Sequence, residues 1–251
     1  MTKYEEIMQA LRTGARRPVF PDEEQPDAQY IVALGAQLDT ATLIEAYTKG
    51  YFPWTGIHPI PWHSPDPRLI LRPQDFHASR SLKKLAKKDI YHIRYDHDFR
   101  AVMEACAYSL RPDQIDDDDE GTWITENLID AYCELHEYQI AHSIEVYRGD
   151  KLCGGLYGLN FGQAFFGESM FSREPNTSKL ALWAICQRLK RRRFDFIDCQ
   201  QETEHLVSLG GVNIPRPEYI QRLQQALTHP SHHYHWGHPP QPTSTLLDED
   251  T

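Results

Sequence analysis

Two short stretches of this sequence place acids where they can do chemistry. Phe194-Asp195-Phe196-Ile197-Asp198-Cys199-Gln200 alternates like a strand, so Phe194, Phe196, Asp198 and Gln200 share a face, with same-face neighbours about 6.6 Å apart. An acid and an amide at the exit of an apolar strand make a polar pair at a cleft mouth. Cys199 points the other way, which favours a buried inert thiol over a nucleophile served by His205 or His142. In Phe165-Phe166-Gly167-Glu168-Ser169-Met170-Phe171 the same alternation groups Phe166, Glu168 and Met170. Both faces are apolar. That favours a buried or cleft-lining carboxylate, with a partner or a raised pKa, over an edge residue in water.

Other charged and polar clusters are less specific. Leu82, Leu85 and Ala86 give a helix an apolar stripe and leave Arg80, Lys83, Lys84, Lys87 and Lys88 outward. Like charges one turn apart cost roughly 0.2–0.5 kcal/mol per pair. A polyanion would relieve that cost, and a plain solvated face is the other reading. Lys190-Arg191-Arg192-Arg193 suits the C-terminal end of a helix dipole without further purpose. His229, His232, His233, His235 and His238 hold five of the thirteen histidines, yet no Cys or acid completes a metal geometry, so a solvated tail is favoured. Gly154-Gly155-x-x-Gly158 lacks the Lys-Ser/Thr of a phosphate loop and the strand-to-helix setting of a dinucleotide fold. It suits close strand packing or backbone approach to a ligand.

The elements that must position these groups follow from periodicity. The chain has 251 residues, 40% of them hydrophobic, which is enough for a sizeable core and too much for a disordered chain. No apolar run approaches the roughly 20 residues that span a bilayer. The polar N-terminus carries no secretory pattern, and five cysteines without a CxxC pair fit a reducing cytoplasm. The net charge of −10, from 26 basic and 36 acidic residues, argues against a protein that coats nucleic acid over its whole surface. Residues 1–29, with Pro18, Pro21 and Pro26, read as an extended lead-in. A helix runs from Asp39 or Thr40 to Lys49, and five prolines exclude a helix or an interior strand between Tyr51 and Pro73. Helices are expected at 81–88, from Phe99 through Leu110, and at 125–138. An acidic loop at 113–120, six acids in eight positions, marks a boundary between domains at 30–112 and 121–228. Strands at 141–147, 152–159 and 164–171 form an antiparallel meander, followed by a helix to Arg191, a strand at 194–199 and a helix from Pro217 to Leu227. The order is that of an α+β layer with helices against a mainly antiparallel sheet. A tail at 229–251 closes the chain.

Several ordered motifs carry a family resemblance. Tyr51-Phe52-Pro53-Trp54, Trp62-His63-Ser64-Pro65-Asp66-Pro67-Arg68, Gly121-Thr122-Trp123-Ile124, His142-Ser143-Ile144-Glu145, Gly154-Gly155-Leu156-Tyr157-Gly158, Gly167-Glu168-Ser169-Met170-Phe171-Ser172 and Ile197-Asp198-Cys199-Gln200 occur in this order. Together they resemble the bacterial leucyl/phenylalanyl-tRNA–protein transferases from about residue 30 to 227. The resemblance implies a small N-terminal α/β domain and a C-terminal N-acetyltransferase-like (GNAT-like) domain, in a monomeric cytoplasmic enzyme without metal or cofactor. It implies transfer of Leu, also Phe or Met, from aminoacyl-tRNA to the α-amine of proteins beginning with Arg or Lys, which marks them for degradation. By the same analogy Asp198 orients Gln200, which helps position the attacking amine, with Glu168 nearby; Asp198→Ala should greatly reduce transfer and leave the fold intact. Trp123, Met170, Ile185, Leu189 and Leu156 would line the pocket for the aminoacyl side chain. Arg80, Lys83, Lys84, Lys87, Lys88, Trp62 and His63 would meet tRNA. His63 stands where relatives often have an aromatic, and Ile185 and Leu189 where some have rings. Two other readings are an acyl-CoA-dependent N-acetyltransferase and a non-catalytic tRNA or degron module. The first would need a glycine-rich pyrophosphate loop that Glu174-Pro175-Asn176-Thr177-Ser178 lacks.

Overall fold

The computed structural model describes residues 1–20, 30–108, 123–231, 236–237 and 239–248. The acidic run 113–120, Pro21 and Pro26, Leu110, Gly121-Thr122, and His232, His233, His235 and His238 lie outside the described residues. An eight-stranded sheet forms the middle layer, in the order β10-β4-β9-β8-β7-β6-β5-β11. Its members are β4 (Arg68–Leu71), β5 (His92–Tyr95), β6 (Ala141–Arg148), β7 (Lys151–Phe161), β8 (Ala164–Ser172), β9 (Phe196–Gln200), β10 (Val212–Ile214) and β11 (Gln241–Pro242). Neighbours run antiparallel except β8 and β9, which are parallel. A three-stranded sheet of β1 (Ile31–Leu34), β3 (Pro61–His63) and β2 (Phe52–Pro53) lies apart from it.

The sheet separates two cores because successive side chains alternate across it. Ile70, Tyr157, Phe166 and Phe196 pack with α2 (Thr40–Thr48), α4 (Phe99–Tyr108), α5 (Glu126–Glu137) and α8 (Arg216–Leu227). Their neighbours Leu71, Leu156, Phe165 and Ile197 pack with α3 (Arg80–Ala86) and α6 (Thr177–Arg191) on the other side. The expected α+β layering, meander and helices are present, and α7 (Glu204–Ser208) is a further short helix.

Three expectations are corrected. The lead-in is helical, not extended: α1 (Lys3–Arg12) opens on a Thr2–Glu5 capping box, buries Ile7 and packs Tyr4, Met8 and Leu11 against the core. Phe20 follows it into the core, where Glu45 accepts hydrogen bonds from the Val19 and Phe20 amides at 2.9 Å each. The proline-dense segment contains two interior strands: β3, which begins at Pro61, lies between β1 and β2, and β4 pairs with β9 on one side and β10 on the other. The four residues of β4 carry no proline; Pro67 and Pro73 only bracket them. The tail is not wholly solvated: Trp236 is fully buried, β11 pairs with β5, and a 3-10 turn at Thr243–Leu247 buries Leu246. Residues 30–112 therefore share the main sheet through β4 and β5, and the small N-terminal part consists of α1, α2 and the three-stranded sheet. Among the described residues no helix is long and apolar enough to cross a membrane.

Candidate active site

A cleft opens where β8 and β9 part. Their parallel pairing runs only from Ala164↔Phe196 to Phe166↔Asp198, after which β9 stays with β4 through Leu69↔Gln200. On the far side of β8, Gly158 pairs with Gly167 and Tyr157 with Ser169, so Glu168 is an extra residue, a β-bulge. The bulge resets the side-chain parity. Phe166 and Glu168 share the α2/α5 side as expected, but Met170 turns to the α6 side, away from them. Gln200, at φ +64°, ends β9 in the left-handed region that non-glycine residues rarely adopt. Its backbone amide donates to Asp198 Oδ1 at 2.9 Å, and its side-chain Nε2 donates to Glu168 Oε1 at 3.0 Å. The three predicted polar residues are thus joined in one network.

Asp198 itself has no exposed surface. Arg68 grips it with Nε on Oδ1 at 2.8 Å and Nη2 on Oδ2 at 2.7 Å, and the Tyr219 hydroxyl donates to Oδ2 at 2.7 Å. The Arg68 guanidinium lies 4.8 Å from the Phe52 ring and 4.5 Å from the Tyr219 ring. Burial opposes the Arg68 charge, but Asp198, Tyr219 and Glu168 together outweigh it, so the guanidinium holds its proton more firmly than usual. Asp198 lies behind the cleft wall rather than on its surface. Glu168 is different. Burial, with the Asp198 charge in support, pushes its carboxyl up to about 7 against hydrogen bonds from Tyr47, Tyr132 and Gln200. The Tyr132 hydroxyl donates to Glu168 Oε2 at 3.3 Å, and the Tyr47 and Tyr132 hydroxyls are bonded to each other.

The cleft encloses about 850 Å³. Leu156, Phe165, Met170, Leu182 and Ile185 form its apolar wall, Glu168 and Gln200 its polar end, and Trp54 and Trp123 stand 6.1 Å apart at its side. Trp123, Met170, Ile185 and Leu156 are among the residues that line it. Leu189 is not; one turn beyond Ile185, it is fully buried in the core between α6 and the sheet. Trp62 is also fully buried, its Nε1 donating to the Gly35 carbonyl at 2.6 Å, so it offers no stacking surface to RNA. His63 is partly exposed, 5.7 Å from the Trp54 ring. Arg80, Lys83, Lys84, Lys87 and Lys88 are all exposed on and just beyond α3, outside the cleft lining. Cys199, expected to be buried and turned away, is instead partly exposed and lines the cleft, although desolvation pushes its thiol far above its ordinary value. Gly158 serves strand packing, since a Cβ there would lie 2.2 Å from the Phe166 carbonyl, and Gly154 admits the start of α6, since a Cβ there would lie 2.3 Å from Thr177 Oγ1.

Sequence reasoning missed Arg68, Tyr219, Tyr47 and Tyr132. Arg68 stood in the Pro65-Asp66-Pro67-Arg68 motif, a usable signal; the tyrosines lay on helix faces indistinguishable from ordinary core.

Residues 70–224 match the protein family described as leucyl/phenylalanyl-tRNA protein transferase, and residues 36–66 match the N-terminal domain of that family. A leucyl/phenylalanyl-tRNA–protein transferase of Myxococcus xanthus is 44% identical over 219 residues, 87% of this chain and 92% of that protein. Those of Nitrosospira multiformis and Legionella pneumophila (strain Corby) are 47% identical over 200 residues and 44% over 219, covering 84% and 96% of their own lengths.

Proposed function

The chain belongs to the leucyl/phenylalanyl-tRNA protein transferase family, and from that premise we propose how its cleft carries out the transfer. The substrates are Leu or Phe esterified to tRNA and a protein whose N-terminal residue is Arg or Lys. The aminoacyl side chain enters the wall of Leu156, Met170, Leu182 and Ile185, and Trp54 with Trp123 faces the terminal base, where aromatic stacking suits an unpaired nucleotide. The acceptor's α-amine, with a free pKa of about 7.7–8.0, arrives mostly protonated. Glu168, titrating at about 7, takes one proton from it. The neutral nitrogen attacks the ester carbonyl, an amide bond forms, the ester bond breaks, and the departing ribose oxygen leaves with a proton. Gln200, fixed by Asp198 and Glu168, orients the amine. Because the ester is already activated, orientation and proton removal provide most of the acceleration.

Glu202 and Glu204 at the mouth suit a cationic Arg or Lys side chain. A monomer working in the cytoplasm fits this reading. The observation that carries it is the Gln200–Glu168 hydrogen bond at the polar end of an apolar cleft. The test incubates the purified chain with radiolabelled Leu-tRNA and a peptide beginning with Arg. Label on the peptide is expected; label drawn from an acyl-CoA instead, or binding without transfer, would overturn it.

A further inference from the structure

A second cavity, of about 350 Å³, lies between the C-terminal half of α6, Tyr95 of β5 and the tail turn, and is lined by Arg188, Arg191, Arg192, Gln241 and Thr245. Arg188 is only 8% exposed. Its guanidinium carbon lies 4.8 Å from the Tyr95 ring and 4.7 Å from the Trp236 ring. Rings cover the flat of the group, so its N–H donors are left along the edge. Two of the nitrogens, Nε and Nη2, are buried with no hydrogen-bond partner.

Arg68 shows what a buried guanidinium in this protein normally has: a bidentate carboxylate. Arg188 has none. Asp96, a buried acid whose charge reaches Arg188, is taken by His142 Nδ1 at 2.9 Å and by the Ser143 and Trp236 amides at 3.0 and 2.8 Å. Burial, reinforced by the Arg192 charge, lowers the Arg188 pKa to about 10. A desolvated cation without a counterion is costly, and an anion entering the cavity would offset that cost. Among the described residues that line the cavity there is no Asp or Glu.

We propose that this cavity is a phosphate-binding site, in which the edge of Arg188 and the guanidinium groups of Arg191 and Arg192 hold the oxygens of one phosphate group. Arg188 sits buried beside further arginines in a lining whose described residues include no acid, which suits an oxygen anion, and the guanidinium fork matches phosphate geometry. The phosphate belongs either to the backbone of an RNA or to a free phosphate compound. Helix α6 favours the first: it carries Ile185 into the cleft and Arg191 into this cavity, six residues or about 9 Å along one axis. The site itself stands independently of the transfer reaction; its assignment to RNA rests on it.

The test uses the full chain as wild type, R188Q and R191Q/R192Q. The double variant leaves the buried Tyr95–Arg188–Trp236 stack in place, so it keeps the test valid if R188Q folds poorly. Calorimetric titration with inorganic phosphate and pyrophosphate, against chloride at equal ionic strength, should show at least tenfold weaker binding in the variants. The salt dependence of tRNA binding is measured in parallel. A slope lower by about 0.7–0.9 per lost contact assigns the phosphate to RNA. Weaker phosphate binding with an unchanged tRNA slope assigns it to a free phosphate compound. The proposal is overturned if neither quantity differs between wild type and the variants.

Discussion

Holding the Glu168 carboxyl near 7 has opposite consequences for folding and for chemistry. Its pKa rises from 4.5 in the unfolded chain to about 7 in the folded one, chiefly through burial. The folded protein therefore keeps a proton that the unfolded chain releases between those values. Stability contributed by the neutral acid is full below about pH 4.5 and is lost as pH rises through 7, by roughly 3 kcal/mol. Glu168→Gln should accordingly melt near the wild-type temperature at pH 4.5 and above it at pH 8; equal melting at both would show that the carboxyl is not desolvated. The same substitution removes the proton acceptor. We expect kcat for Leu transfer to fall about 10²–10⁴-fold, and the limb of the wild-type pH–rate profile near 7 to disappear. Retention of that limb would assign the titration to another group. This residue was legible because a carboxylate between phenylalanines on an apolar strand has few innocent explanations. The pairing of Arg68 with Asp198 was not, since the two are 130 positions apart and only the β4–β9 pairing brings them together.

Strand β9 is held to β4 and α8 by a clamp of Arg68, Asp198 and Tyr219, and this changes what Asp198 variants report. The sequence alone suggested a substitution that greatly reduces transfer and spares the fold. Inside the sheet, however, removal of Asp198 strands a fully buried guanidinium. Breaking such a pair costs about 3–5 kcal/mol, whereas apolar replacement of both partners is often near neutral. Asp198→Ala should lower urea stability by that amount, and Arg68→Met/Asp198→Leu should recover most of it. Neither should recover kcat, because the Gln200 amide has lost its acceptor. A stable and active double variant would remove the clamp from the mechanism. Gly158→Ala tests the neighbouring pair, since its Cβ would meet the Phe166 carbonyl and the Phe165 ring at 2.2 and 2.6 Å. Overpacking there should cost about 1–3 kcal/mol and be read as a lower denaturation midpoint; no loss would mean that β7 and β8 shift apart freely. Strict alternation predicted the faces of Phe196, Ile197 and Asp198 on β9 correctly, but Phe194 lies before the strand and packs on the α6 side, opposite Phe196. Alternation failed after Gly167 on β8, because a one-residue bulge leaves no mark in a hydrophobic pattern. For the same reason Ile185 and Leu189, one turn apart, looked equivalent, although only Ile185 reaches the cleft.

Across the whole molecule, the meander, helices and cleft strand were legible from periodicity, while contributions from far along the chain were not. Trp236 sits in a His- and Pro-rich run that reads as solvated, yet its ring stacks 3.8 Å from His142 and its amide binds Asp96. Charge distribution poses a related problem. A molecule with net charge −10 repels RNA at long range unless some face reverses the sign. Helix α3 with the turn that follows it presents Arg80, Lys83, Lys84, Lys87 and Lys88 to solvent, while Leu82 and Ala86 anchor it in the core. Because Leu82, Ala86 and the bond from the Thr243 hydroxyl to the Ala86 carbonyl anchor the helix, charge reversal at Lys83 and Lys84 should leave stability within about 0.5 kcal/mol of wild type. If that face meets the phosphate backbone, each lost contact lowers the slope of log affinity for tRNA against log salt by about 0.9. Lys83→Glu/Lys84→Glu should therefore bind Leu-tRNA more weakly at 50 mM salt and nearly as well as wild type at high salt, with kcat unchanged once tRNA saturates. A slope equal to that of wild type would leave the helix as a solvated face and shift the electrostatic burden to the arginines of α6.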